Sequence, residues 1–244
     1  MQLEALALRM RPRAPLEAAD LGARLCQAAA RSVYACYATA YVPVAALALA
    51  AFEIAPWLPT LVLFVAKPWL DRTILFVLSR AAFGQTTTLQ ELWEARRRVW
   101  WSQLLLTWTW RRLSPWRSFT QPVYQLEGLS LGKIQRRVGQ IRRRKRGAAL
   151  LMTAAFATAE SCLVFTLLSF LIWFAPGDTA PDLSMLLFDE QSVLLEAAAA
   201  IAYAIVIAFL EPFYVAAGFA MYLNRRAELE AWDVEQELRR AFPA

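Results

Sequence analysis

"AFLEPFYVAAGFAMYLNRR", residues 208–226, sets a carboxylate and a proline, Glu211 and Pro212, inside a long apolar run that stops at Asn224-Arg225-Arg226. A charged side chain at the centre of a bilayer costs roughly 2.5–3.5 kcal/mol on insertion scales. A proline inside a helix removes one backbone hydrogen bond. A run that keeps both needs a polar interior to turn them towards. The rest of the chain supplies the setting. It has 244 residues, 59% of them hydrophobic, with 10 Trp and mean hydropathy +0.37, where a soluble domain is about 45–50% apolar. The apolar residues come in blocks rather than at a steady helical or strand period, which points to a polytopic membrane protein.

A crossing helix takes about 20 mostly apolar residues. The stretches 32–52, 57–78, 148–174 and 193–223 reach that length, the second interrupted by "KPWLDR" at 67–72. The expected fold is all-α: four transmembrane helices plus interfacial amphipathic helices. The expected divisions are an N-terminal cytoplasmic or interfacial helix (1–31), a first transmembrane hairpin (32–80), a cytoplasmic Trp/Arg-rich interfacial region (81–147), a second hairpin (148–223) and a C-terminal cytoplasmic helix (224–244).

The loops set the orientation. "KIQRRVGQIRRRKR" at 133–146 carries Lys133, Arg136, Arg137, Arg142, Arg143, Arg144, Lys145 and Arg146 with no acid. The 175–196 connection carries Asp178, Asp182, Asp189, Glu190 and Glu196 with no base. Bases mark the cytoplasmic side, so both termini and 81–147 are expected inside, 175–192 outside, and 53–56 as a tight external turn. The net charge of +6 is thereby read as topology, not as nucleic-acid binding. The run 133–146 is also a surface for anionic lipid headgroups or a protein partner, at about 1 kcal/mol per base near a membrane. One such partner is the acidic "RRAELEAWDVEQELRRAF" of the C-terminus, through Glu228, Glu230, Asp233, Glu235 and Glu237.

Between the hairpins, Trp93, Trp100, Trp101, Trp108, Trp110 and Trp116 alternate with Arg96, Arg97, Arg98, Arg111, Arg112 and Arg117. Indole and guanidinium groups settle at headgroup level, so 88–113 reads as helix in the inner interface, with 99–110 too short to cross. Near the N-terminus, Pro15, Glu17 and Asp20 open a helix whose stripe Leu21, Leu25 and Ala29 is expected to lie on the membrane.

The charges inside the expected spans form the candidate site: Lys67, Asp71, Arg72, Glu160 and Glu211. At 1.5 Å per residue, Lys67 falls ~15 Å below the outer face and Glu160 ~18 Å above the inner one. Lys67 and Asp71, four apart, share a helical face. Glu211 is expected to meet Lys67 or Arg72, with Pro212 kinking the helix beside it. This cluster reads either as ion pairs that lock the helices or as a polar transport path.

Enzyme signatures are missing. The chain has no His, the commonest general base and metal ligand. Cys26, Cys36 and Cys162 lack metal spacing, so no metal and no cofactor is expected. "GLSLGK" at 128–133 is too short for a phosphate loop and lacks the following Ser/Thr. No apolar core directly follows the basic N-terminus as in a signal peptide.

"LEAADLGARLCQAAAR" (16–31), "KPWLDRTILFVLSRAAFG" (67–84), "WRRLSPWRSFTQPVYQLEG" (110–128) and "EPFYVAAGFAMYLNRRAELEAWDVE" (211–235) resemble a group of uncharacterised bacterial inner-membrane proteins. The last also has a faint similarity to the membrane domain of glycerophosphodiester phosphodiesterases. Ala227 stands where the pattern has Thr. The resemblance implies neighbours such as a MoxR-type AAA ATPase and proteins with von Willebrand factor A or transglutaminase-like domains, hence an envelope-associated assembly. The expected function is a non-catalytic inner-membrane component that recruits or scaffolds partners. A small transporter or channel is the alternative, and a lipid-handling membrane enzyme the third.

Overall fold

A computed structural model describes residues 13–101, 114–174 and 193–230. Among them every regular element is helical: α1 (Pro15–Ala28), α2 (Ala30–Ala50) with a 3-10 turn at Ala51–Glu53, α3 (Leu58–Ala81), α4 (Leu89–Glu94), a π-helical turn (Arg97–Trp101), α5 (Arg117–Leu126), α6 (Leu131–Arg142), α7 (Arg146–Trp173) and α8 (Val193–Glu230). The expected all-α class holds. The segments 1–12, 102–113, 175–192 and 231–244 lie outside the described residues, and with them the short Trp-rich block after Trp101, the acidic connection up to residue 192, and Asp233, Glu235 and Glu237.

Among the described residues three helices, not four, are long and apolar enough to cross a membrane: Ala30–Glu53, Arg146–Phe170 and Val193–Glu230. The expected second span, α3, is 24 residues long. Its composition falls short because Lys67, Asp71, Arg72 and Arg80 lie along it. Length alone would carry it about 36 Å; the charges remove the apolar window.

Helix α8 organises the molecule. It runs unbroken through Pro212 for 38 residues, and α1, α3, α5 and α7 all pack on it. Its "VAAGFA" segment (215–220) explains the closeness. A Cβ on Gly22 of α1 would come within 2.2 Å of the Ala216 carbonyl oxygen, and one on Gly218 within 2.5 Å of the Ser118 carbonyl carbon in α5. Two tyrosines of α2 reach the same helix: the Tyr34 hydroxyl donates to the Phe209 carbonyl at 2.8 Å and the Tyr41 hydroxyl to the Ala204 carbonyl at 2.5 Å. The buried face of α1 is Ala18, Gly22, Leu25 and Cys26. The expected Leu21–Leu25–Ala29 membrane stripe is thus corrected: small residues turn towards α8, because there the backbones approach most closely.

Local signals end and start the shorter helices. Gly84, at φ 72°, terminates α3 in the left-handed conformation, with the Gly84 N–H donating to the Ala81 carbonyl, a closure glycine adopts without steric cost. Thr88 opens α4 through a reciprocal capping box with Glu91, satisfying two orphan donors.

Candidate functional site

Four helices bring opposite charges to one buried point. Lys67 and Asp71 come from one face of α3, Glu160 from the middle of α7, Glu211 from α8, and Arg117 from the first residue of α5. Lys67 Nζ lies 2.6 Å from Glu160 Oε2 and 3.4 Å from Glu211 Oε2. Arg117 Nη2 lies 2.6 Å from Glu211 Oε1, and its Nε 3.0 Å from Asp71 Oδ2. Lys67, Asp71 and Glu211 are 6%, 0% and 3% exposed, so water does not solvate them and the pairing must. The Tyr203 ring lies 5.4 Å from Lys67 Nζ and the Tyr214 ring 5.4 Å from the Arg117 guanidinium, each giving its cation a π face.

Beside this network is a cavity of about 270 Å³. Lys67, Arg117, Glu160 and Glu211 supply its polar wall, and Phe64, Phe156 and Leu210 its apolar one. Helix α7 packs mainly on α8, and the Lys67–Glu160 pair bridges from it to α3. Chemically the arrangement can hold four helices in one register or offer fixed charges to a small polar guest. Among the described residues no group of three or more His, Cys, Asp or Glu is placed to hold a metal ion.

Of the expected site residues, Lys67, Asp71, Glu160 and Glu211 converge, and Lys67 is a partner of Glu211 as expected. Arg72 is the correction. It forms no ion pair with Glu211; its Nε donates to the Val99 carbonyl at 2.6 Å. Nearby, the Trp100 indole N–H donates to Thr73 Oγ1 at 2.9 Å, so this end of α3 anchors the π-helical turn. The other correction is Arg117, which the Trp/Arg pattern assigns to the interface. One sequence signal pointed to it: Asp71, Glu160 and Glu211 outnumber Lys67 and Arg72, and a buried excess acid calls for a further base. The glutamines of α5 explain how it gets there. Gln121 and Gln125 donate to the Pro68 and Arg72 carbonyls at 3.4 and 2.8 Å, laying α5 along α3.

The basic run divides. Arg137 pairs with Glu127 at 2.9 Å and also with Glu230, and Lys145 pairs with Glu228 at 2.8 Å. Arg142 stacks its guanidinium 4.3 Å from the Trp116 ring centroid. These three close the bundle's end, with Tyr222 donating to Glu127 at 2.7 Å. Glu228 and Glu230 thus meet the run as expected of the acidic C-terminal stretch. Lys133, Arg136, Arg143, Arg144 and Arg146 remain exposed.

Comparison with family models, with curated proteins and with solved structures returned no match.

Proposed function

We propose that the chain is a non-catalytic component of the bacterial inner membrane that recruits or scaffolds partners of an envelope-associated assembly. In this reading α3 is a fourth crossing helix, shielded from lipid by its neighbours, and both termini are cytoplasmic. The observation that carries it is the charge pairing of the buried network: each charge at the site faces an opposite charge on another helix. Such a network fixes one arrangement of α3, α5, α7 and α8. The partners the resemblance implies are a MoxR-type AAA ATPase and its von Willebrand factor A or transglutaminase-like neighbours, met at the cytoplasmic face.

A second reading, a small transporter or channel, is favoured by one observation: the 270 Å³ cavity that reaches four of the charges. Two measurements on one variant separate the readings. Glu160→Gln removes the cavity's partly exposed acid. If the chain is a scaffold, partners retained on purification from native membranes in mild detergent stay with a variant that still folds, and proteoliposomes show no ion or proton flux. Flux through the wild type that Glu160→Gln abolishes, with no retained partner, contradicts the scaffold.

A further inference from the structure

The five exposed bases of the run are not scattered. Lys133, Arg136 and Arg143 follow helical spacing down one side of α6 and past its end, opposite Ile134, Val138 and Ile141, which are buried in the core. The chain then turns through Arg144, at φ 65°, and enters α7 at Arg146. Leu150 and Leu151, 48% and 56% exposed, follow within a turn and a half. Only 11% of the most apolar stretch of α7 is buried inside the protein. Arg143, Arg144 and Arg146 therefore stand where an outward apolar helix begins. Trp116 fixes that level, its indole N–H donating to the Arg146 carbonyl at 3.1 Å while its ring holds Arg142. The bases with acidic partners face inward, and these exposed ones have none among the described residues.

We propose that this elbow, Arg143, Arg144 and Arg146, extended by Arg136 and Lys133, is a binding site for the headgroups of anionic phospholipids. The inference rests on α7 crossing the membrane. Guanidinium groups suit the phosphodiester oxygens by their paired donors. Their left-handed turn fans them across the surface instead of stacking them along one helix face. A net negative headgroup such as phosphatidylglycerol is favoured over a zwitterionic one, whose own ammonium competes for the same phosphate.

The test uses the full chain in nanodiscs, with energy transfer from its tryptophans to dansyl-phosphatidylglycerol or dansyl-phosphatidylcholine. Reconstitution into phosphatidylcholine alone first checks insertion independently of lipid choice. The expected result is preferential transfer to phosphatidylglycerol, weakened by salt through screening. At about 1 kcal/mol per base, or roughly fivefold, the triple variant R143Q/R144Q/R146Q loses about a hundredfold in affinity. The single Arg144→Gln loses about fivefold and serves if the triple fails to insert. Arg24→Gln, an exposed base elsewhere, leaves the preference unchanged. Equal transfer to both lipids, an undiminished preference in either variant, or displacement by millimolar inorganic phosphate overturns the proposal. An acidic peptide that binds the wild type while the lipids do not discriminate overturns it too, and makes an acidic protein segment the occupant.

Discussion

Arg117 reaches Asp71 through Nε and Glu211 through Nη2, so one planar guanidinium answers two buried acids from different helices. Lysine carries the same charge on a single ammonium and cannot reproduce that fork. Arg117→Lys is therefore expected to lower stability by roughly 1.5–3 kcal/mol, the worth of the charge-assisted hydrogen bond to Glu211, read as the unfolding midpoint in detergent. An unchanged midpoint would show that only the charge matters. Glu91 gives a pH prediction. The Thr88 backbone N–H, its hydroxyl and the Arg80 guanidinium hold the carboxyl below its ordinary value of 4.5. A lowered folded value means the contribution is complete above the ordinary value and is lost as pH falls through the depressed one. The α4 segment should accordingly exchange its amides faster below that range, and Glu91→Gln should remove this pH dependence. At this scale the sequence was legible in part. The acids and Lys67 could be named because hydrocarbon makes any charge conspicuous; Arg117 could not, since it lies among arginines that look alike without three dimensions.

At the scale of elements, glycine contacts decide how the helices meet. Gly22→Val would drive a branched side chain into the α8 backbone at Ala216, where even a Cβ has 2.2 Å. The contact is with backbone and not a movable side chain, so α1 must shift outward. Overpacking costs about 1–3 kcal/mol, and the expected outcome is a lower midpoint with faster proteolysis near residue 28. Gly132→Val, whose Cβ would meet nothing within 4 Å, is the matched control and should stay within about 1 kcal/mol, near glycine's own propensity cost. The sequence indicated that α1 exists, through Pro15 and the acid at Glu17. It misplaced the buried face because apolar size marks Leu21, whereas close approach selects Ala18 and Gly22. The same limit applies to α6: its apolar positions repeat at helical spacing, but which bases turn inward depends on Glu127, Glu228 and Glu230, one before the run and two far beyond it.

Over the whole molecule, the helical class and three apolar spans follow from composition, because block hydrophobicity is a property of the sequence alone. The status of α3 does not. A helix bearing Lys67, Asp71 and Arg72 fails a count of apolar residues, yet these side chains are buried and the helix packs against α2 and α8. Whether such a helix crosses depends on its neighbours, and so on the buried network of Lys67, Asp71, Arg117, Glu160 and Glu211. The most direct measurement is a double-mutant cycle on Arg117 and Glu211 in reconstituted bilayers, with unfolding free energy as the readout. Arg117→Gln leaves Asp71 without its base and should cost about 3–5 kcal/mol; Glu211→Gln, after which Lys67 keeps Glu160 and Arg117 keeps Asp71, should cost less. The double variant should recover part of that loss, giving a coupling of at least about 1 kcal/mol between contacting residues. Harmless single variants and a merely additive double would contradict the lock, and would move Glu211 to the transport reading as a group solvated by the cavity.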